Sequence, residues 1–377
     1  MRRHWAINGR FLAQPLTGVQ RYAREIVRAM DRLLARHPGI ASHLDLEVLM
    51  PPDAVDDLAL TAIPSRRIGR FGGHPWEQAI LPASVTGGLL SLCNTGPVLA
   101  GKHIVCIHDA NTRNFPQSYS PSFRALYRSL LPALARSAEC IATVSHYSAG
   151  ELARHQICRA SKIFVASNGH EHATQWKAEH SLRTQMAAGP DTIVLLGSAA
   201  PHKNAKLVVG MANQLQAAGF KIAVAGISDP RVFKATAIAE ATNVFWLGRL
   251  SDNALAALLH DSMCLAFPSF EEGFGLPPLE AMVVGCPVVA SDRASLPEIC
   301  GDAALYASPN NPAAWFDRFM ELRVAPLARL DMIARGWART SRYRWDTSAE
   351  LYLLAMLESD GLQHDERESA IEREIIR

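Results

Sequence analysis

Long apolar runs are missing from this chain. None reaches the about 18 consecutive apolar residues that a membrane-spanning helix requires, so the sequence predicts no span. Met1-Arg2-Arg3-His4-Trp5 leads into no apolar core of signal-peptide length. Cysteine is scarce and scattered: seven residues, at 93, 106, 140, 158, 264, 286 and 300, with no CxxC pair and no Cys/His cluster. An odd count without zinc or redox spacing argues against a disulfide framework. It fits small buried side chains in a reducing, cytoplasmic compartment. The phosphate loops of NTPases and dehydrogenases, GxxxxGK[S/T] and GxGxxG, are absent too, which weakens both of those readings.

What is present describes a globular protein with real cores. Hydrophobic residues make up 49% of the chain and charged residues 20%. A length of 377 residues predicts two domains of ordinary size. The net charge of +2 says little, but its distribution is uneven. Residues 1–40 hold eight arginines (2, 3, 10, 21, 24, 28, 32 and 36) against Glu25 and Asp31. A basic lobe of this kind could meet anionic lipid or a diphosphate-bearing acceptor. A solvated helix face accounts for it equally well. Residues 359–377 are acidic, with six acids against three arginines.

In chain order, Trp5-Ala6-Ile7-Asn8 reads as a first strand and Gly9 to Gly18 as a loop. Val19, Tyr22, Ala23, Ile26, Val27, Met30, Leu33 and Leu34 then recur at helical spacing. Further strands are expected at 46–50, 89–93, 104–107, 140–144 and 163–166, mostly continuous apolar runs. Such runs alternating with helices predict a parallel sheet covered on both faces, with ligands at the carboxyl ends of its strands. Residues 170–190 are polar and irregular and are expected to hold the domain boundary. The pattern then restarts at Thr192–Leu196, giving two similar α/β halves.

The stretch Phe267-Pro268-Ser269-Phe270-Glu271-Glu272-Gly273-Phe274-Gly275-Leu276-Pro277-Pro278-Leu279-Glu280-Ala281-Met282 organises the second half. A buried strand runs into a glycine turn, and Pro277 and Pro278 then open a helix whose first turn is expected to carry Glu280. A glycine turn feeding a helix N-terminus aims backbone N–H groups and a positive dipole end at one spot, which suits phosphate. Glu272 and Glu280 flank that spot, where sugar hydroxyls are natural partners. Alone, the two acids are equally a solvated loop residue and a partner for the helix dipole.

The whole pattern resembles the E-x7-E signature of the retaining glycosyltransferases of family 4. The likeness continues through Gly285-Cys286-Pro287-Val288-Val289-Ala290-Ser291 to Leu296-Pro297-Glu298. It spans nearly the whole chain, most strongly from 192 to 310. The resemblance implies an α/β GT-B fold: two facing Rossmann-like domains with a cleft between them. The expected domains are 1–178 on the acceptor side and 179–344 for the nucleotide sugar. Helix 345–358 would pack back on the first domain, and 359–377 would form a charged tail.

The same resemblance implies roles for residues. Lys203, in Pro201-His202-Lys203-Asn204, would be the diphosphate-binding cation. The family usually has arginine where His202 stands, and some members place an arginine at the position of Ser198, so a second charge is open. Glu272 would orient the donor sugar and Glu280 would hold the ribose diol. Gly273, Phe274, Gly275 and Leu276 would line the phosphates, and Gly248 to Leu250 the base. Gly18, in the loop before the first helix, would let backbone approach the ligand. His108, just past a strand end, would reach the donor sugar; a loop histidine beside a capping Asp109 is the plainer alternative.

The expected reaction is retaining transfer of a hexose to a lipid-linked or oligosaccharide acceptor in bacterial surface polysaccharide synthesis. The donor that fits the resemblance best is GDP-mannose, with a UDP-sugar as the alternative. No cofactor or metal is expected, the nucleotide sugar being a substrate. No two aspartates stand in the Asp-x-Asp spacing with which enzymes of the other common sugar-nucleotide fold hold an ion. An epimerase or hydrolase on the same architecture, or a non-catalytic binding subunit, are the competing classes. The expected location is cytoplasmic, with peripheral contact to the inner membrane face left open and no nucleic-acid partner.

Overall fold

The computed structural model describes residues 3–198, 200–226 and 241–361. Ala199 of the Lys203 loop and the charged tail beyond 361 lie outside the described residues. Among the described residues no helix is long and apolar enough to cross a membrane.

The chain divides into two compact units. One comprises Met1–Arg113, Ser120–Gly169 and Arg344–Arg377; the other Asn114–Tyr119 and His170–Tyr343. The division therefore falls at Gly169, ahead of the expected 178, and a short segment, Asn114–Tyr119, groups with the second unit. His170 is held there by Tyr343, whose carbonyl accepts from His170 N at 3.2 Å and Nδ1 at 2.7 Å.

The first unit is built on seven strands: β1 (Arg3–Asn8), β2 (Leu44–Met50), β3 (Ser65–Arg67), β4 (Gly88–Ser91), β5 (His103–Cys106), β6 (Cys140–Thr143) and β7 (Ile163–Val165). All neighbours pair parallel, in the order β3-β2-β1-β4-β5-β6-β7. Strand β3 corresponds to no apolar run in the sequence. It is a short polar edge strand, and three residues carry no periodicity to read.

Helix Gly18–Arg36 buries Tyr22, Ile26, Met30 and Leu33. It lies against helix Trp345–Ser359, which buries Trp345, Tyr352 and Met356. Tyr22 Oη meets Tyr352 Oη at 2.8 Å and donates to the Ala166 carbonyl at 2.9 Å. Three arginines of this helix pair within the unit. Arg24 pairs with Asp57, Arg28 with Glu25 at 2.7 Å, and Arg32 with Asp346 at 2.6 Å.

The second unit has six strands: β8 (Gly189–Leu196), β9 (Lys221–Ala225), β10 (Val244–Gly248), β11 (Ser262–Phe267), β12 (Val288–Ser291) and β13 (Ala304–Ala307). They too pair parallel, in the order β10-β9-β8-β11-β12-β13. Side chains alternate between two faces. Ile193, Leu195, Ile222 and Val224 enter one apolar cluster and Val194, Ala223 and Leu265 another. Burial on both faces explains why the strands read as unbroken apolar runs.

All seven cysteines are free and five are buried. Burial pushes the thiols of Cys106, Cys286 and Cys300 up to about 12, so they pack as small apolar groups.

Candidate active site

In each sheet the strand order reverses once, between β1 and β4 in the first unit and between β8 and β11 in the second. Loops leaving the carboxyl ends of such a pair run to opposite sides and open a crevice, the usual ligand site of an open α/β sheet. In the second unit those two loops are Gly197–Asn204 and Pro268–Gly275. They carry the lysine and the glutamates singled out in the sequence.

The loop after β8 closes with a 3-10 turn, Pro201–Lys203, and Asn204 in the left-handed region at φ 52°. Asparagine tolerates that conformation. Its side-chain amide donates to the carbonyls of Pro268 at 3.1 Å and Pro309 at 2.9 Å, which fixes the turn against the β11 loop. Ser198 Oγ accepts from the amide of Ala200 at 3.2 Å, inside the same loop. From this base Lys203 Nζ reaches both carboxylate oxygens of Glu272, at 2.7 and 2.8 Å. Residues 69 apart in sequence thus meet as a bidentate ion pair, with Glu272 only 7% exposed.

The glutamate loop is held from beneath. Ser295, fully buried, donates to the carbonyls of Glu272 at 3.0 Å and Phe274 at 2.7 Å. Phe274 packs edge-on to Tyr343. Gly275 has φ 101°, and a Cβ there would lie 2.7 Å from Leu296 Cδ2, so glycine is required twice over. Helix Leu276–Val283 follows. It starts one residue before the prolines, so Glu280 is its fifth residue and not part of the first turn. Since Pro277 and Pro278 have no N–H, the amides of Gly275 and Leu276 are the donors that this helix end presents.

Glu280 is held by a residue the sequence reading did not pick out. His172 Nε2 donates to Glu280 Oε1 at 2.9 Å, with both side chains buried, and Trp176 stands edge-on to the imidazole at 5.6 Å. Its one local signal was Asn168-Gly169-His170-Glu171-His172, polar residues just past a turn. Gly248, with φ 67°, and the half-buried Leu250 lie at the carboxyl end of β10, on the same sheet edge.

His108 and Gly18 belong to the first unit. His108 follows β5, is 6% exposed and packs edge-on to Tyr22 at 4.8 Å. Its Nε2 donates to the Leu92 carbonyl at 2.8 Å, and its backbone N–H to Asn94 Oδ1 at 2.7 Å. Burial lowers its pKa to about 4, so it is a neutral imidazole with its proton on Nε2. Gly18 opens helix Gly18–Arg36 with nothing within 4 Å of an added Cβ, so space alone does not demand glycine there.

At the β1/β4 switch point of this unit, a cleft of about 330 Å³ is lined by Arg10, Gln14, Thr17, Gln20, Asn94 and Tyr127 among others. Arg10 Nε donates to Glu77 Oε1 at 3.0 Å and its Nη2 to Thr95 Oγ1 at 2.6 Å, while Asn8 Nδ2 also reaches Glu77 at 2.8 Å. Burial would raise the Glu77 carboxyl, but hydrogen bonds from His74, Asn8 and Thr95 and the Arg10 charge hold it below its usual value. Glu77 lies within a π-helical turn, Trp76–Ile80. The sequence reading assigned it no role.

Two parallel α/β units, with a lysine, two glutamates and a helix end gathered at the switch point of the second, define a two-domain α/β architecture with a candidate ligand crevice. The family model of the glycosyl transferases group 1 matches residues 177–336. The chain is 29% identical to the O-antigen chain mannosyltransferase B of Escherichia coli over 64% of this chain and 67% of the relative. To the O-antigen chain mannosyltransferase RfbU of Salmonella typhimurium it is 25% identical over 68% of this chain and 70% of the relative. The fold matches that of Anabaena HepE, solved in complex with UDP and glucose. The TM-score is 0.68 at 16% identity, covering 96% of this chain and all of that one. The protein is therefore a glycosyltransferase of the GT-B fold, whose residues 177–336 match the group 1 glycosyl transferases.

Proposed function

We propose that the enzyme transfers mannose, with retention of configuration, from GDP-mannose to a glycan or lipid-linked acceptor during bacterial surface polysaccharide assembly. The names of the two O-antigen relatives support the sugar and the pathway class. The observation that carries the donor site is the bidentate Lys203–Glu272 pair beside the Gly275 helix end.

Breaking the glycosidic bond to a nucleoside diphosphate leaves negative charge on the departing phosphate. Its stabilisation is the main catalytic task. Lys203 Nζ and the amides of Gly275 and Leu276 would supply it. Glu272, now gripping the lysine, would turn its carboxylate to donor-sugar hydroxyls once the diphosphate neutralises Nζ. Glu280, held by His172, would accept from the ribose diol. Gly248 and Leu250 would border the base, and Ser198, Gly273 and Phe274 the phosphates. The departing phosphate would take the acceptor proton, so no protein base is assigned. The lysine and helix end perform the charge neutralisation, and donor binding is expected to need no metal.

The test is calorimetric titration of the purified protein with GDP, UDP and ADP, with and without a chelator, followed by product analysis with GDP-mannose. Preferred, chelator-insensitive binding of GDP supports the reading. Preference for UDP moves the donor to a UDP-sugar, as the HepE complex would suggest. Loss of binding with chelator overturns the metal-independent site.

The His172–Glu280 contact gives a sharper prediction. His172→Ala is expected to weaken GDP binding about tenfold, the order of one charge-assisted hydrogen bond's worth of orientation. A GDP analogue lacking the ribose 2′-hydroxyl should bind wild type weakly and lose little more in the variant, because both changes remove one contact. Equal losses for GDP and the analogue would separate Glu280 from the ribose.

A further inference from the structure

Position 202 is where this chain departs from the Pro-Arg-Lys-Asn that its likeness predicts, and what the histidine does there is visible in its surroundings. His202 is 7% exposed and precedes Lys203 in the 3-10 turn. Its carbonyl accepts from the amide of Phe270 at 2.7 Å, joining the lysine loop to the glutamate loop. The segment Asn114–Tyr119 lies across both. Ser118 Oγ accepts from the backbone N–H of His202 at 3.1 Å and stands 2.9 Å from its Nδ1. Tyr119 lies parallel to the imidazole and Phe115 edge-on, with centroids at 6.3 Å in both cases. Phe115 also stacks on Phe270 at 5.5 Å, and Asn114 Nδ2 donates to Glu271 Oε1 at 3.0 Å.

Ser118 Oγ can accept from His202 N–H and donate its own proton to Nδ1, an arrangement that suits a neutral imidazole with its proton on Nε2. Burial and then the neighbouring Lys203 charge act in the same sense, lowering the pKa to about 4 against the opposing pull of Glu272.

We propose that His202 is a neutral positioning residue. It ties the loop of Lys203 to the loop of Glu272 and to the Asn114–Tyr119 strap, so the donor diphosphate is met without a second cation from position 202. This rests on the donor-site reading above. An arginine there would hold phosphate by charge. The histidine instead holds the one lysine in place, through a carbonyl, a hydroxyl and two aromatic faces.

The full-length protein is titrated with GDP, UDP and ADP, using His202→Arg, His202→Ala, His202→Asn, Ser118→Ala and the His202→Ala/Ser118→Ala double variant. Adding a cation by His202→Arg should weaken nucleotide binding about tenfold, because the longer side chain does not fit the aromatic slot. Ser118→Ala removes a single oxygen from the strap and should cost about three- to fivefold. The double variant should cost little more than His202→Ala alone, since the Nδ1 contact is already gone and only the Ser118 bond to the backbone N–H of residue 202 is left to lose. His202→Asn, whose amide can occupy the place of Nδ1, should recover part of the loss. Wild-type affinity should not rise between about pH 8 and about pH 5.5, because the imidazole, facing Lys203, Glu272 and Tyr119, stays neutral there.

Tighter binding by His202→Arg, or wild-type affinity that climbs as pH falls, makes position 202 a cation and overturns the proposal. So does intact binding in both His202→Ala and Ser118→Ala. Failure of all three nucleotides to bind wild type removes the donor site itself, and the proposal with it.

Discussion

Replacing Lys203 by alanine is expected to lower kcat by about 10²- to 10³-fold, the usual cost of deleting one preorganised group that meets transition-state charge. Nζ holds both Glu272 oxygens at 2.7 and 2.8 Å, so its position is fixed before any donor arrives. Once the diphosphate takes the place of Glu272 at Nζ, the cation is in position before the sugar–phosphate bond breaks. Stability should suffer as well. Glu272 is buried, and removing its partner leaves a carboxylate with less compensation, at a cost of about 1–3 kcal/mol given that Lys203 is partly exposed. The double variant Lys203→Ala/Glu272→Gln separates the two effects. It should regain most of the lost stability, because no unpaired charge remains, and stay inactive. Single-turnover rates with GDP-mannose and melting temperatures of the three proteins check this. A Lys203→Ala enzyme with kcat within a few-fold of wild type would move the diphosphate elsewhere.

The second large effect is a loss of stability in mild acid. Burial lowers His103, His108 and His202 to about 4 each, against an ordinary value of about 6.5. With folded values depressed, the unfolded chain binds more protons than the native protein at pH between those limits. Stability is therefore fully present above about pH 6.5 and falls as pH drops toward 4, by about 1.4 kcal/mol per pH unit for each histidine. His202 is partly screened and should count for less. Between about pH 6.5 and pH 5 the fully buried His103 and His108 together remove about 4 kcal/mol, a large share of a typical domain's stability. Both lie in the first unit, which should yield first. Glu77, depressed below the usual carboxylate value, adds its own loss only at lower pH and so does not blur the window. Urea unfolding at several pH values checks the slope. His103→Gln, which cannot titrate, should flatten it, and a melting temperature indifferent to pH over this window would refute the assignment.

The sequence carried the fold class because its strands are buried on both faces. Val105, Ile107, Val194 and Leu265 are apolar whichever way they point, so continuous runs mark strands without any knowledge of their partners. The glycine turn ahead of the helix was equally legible. Gly275 and the two prolines are local requirements of one turn and one helix start, and local requirements are written in neighbouring residues. Even so, the start of that helix was misplaced by one residue, since proline is tolerated at several first-turn positions.

What the sequence could not contain is which distant side chains share an oxygen. Strand order in each sheet decides that the loops after β8 and β11 face one crevice, and strand order is a long-range property. Only the folded chain brings Lys203 to Glu272, His172 to Glu280 across 108 residues, and Ser295 under the glutamate loop. It alone makes Glu77 a buried partner of Arg10, and His202 a neutral group wedged between Tyr119 and Phe115. The sequence by itself determined that two parallel α/β units would form and which residues are candidates for the chemistry. Tertiary structure decided their partners and, through burial, their charges, because desolvation and hydrogen bonding act only between groups that folding has brought into contact.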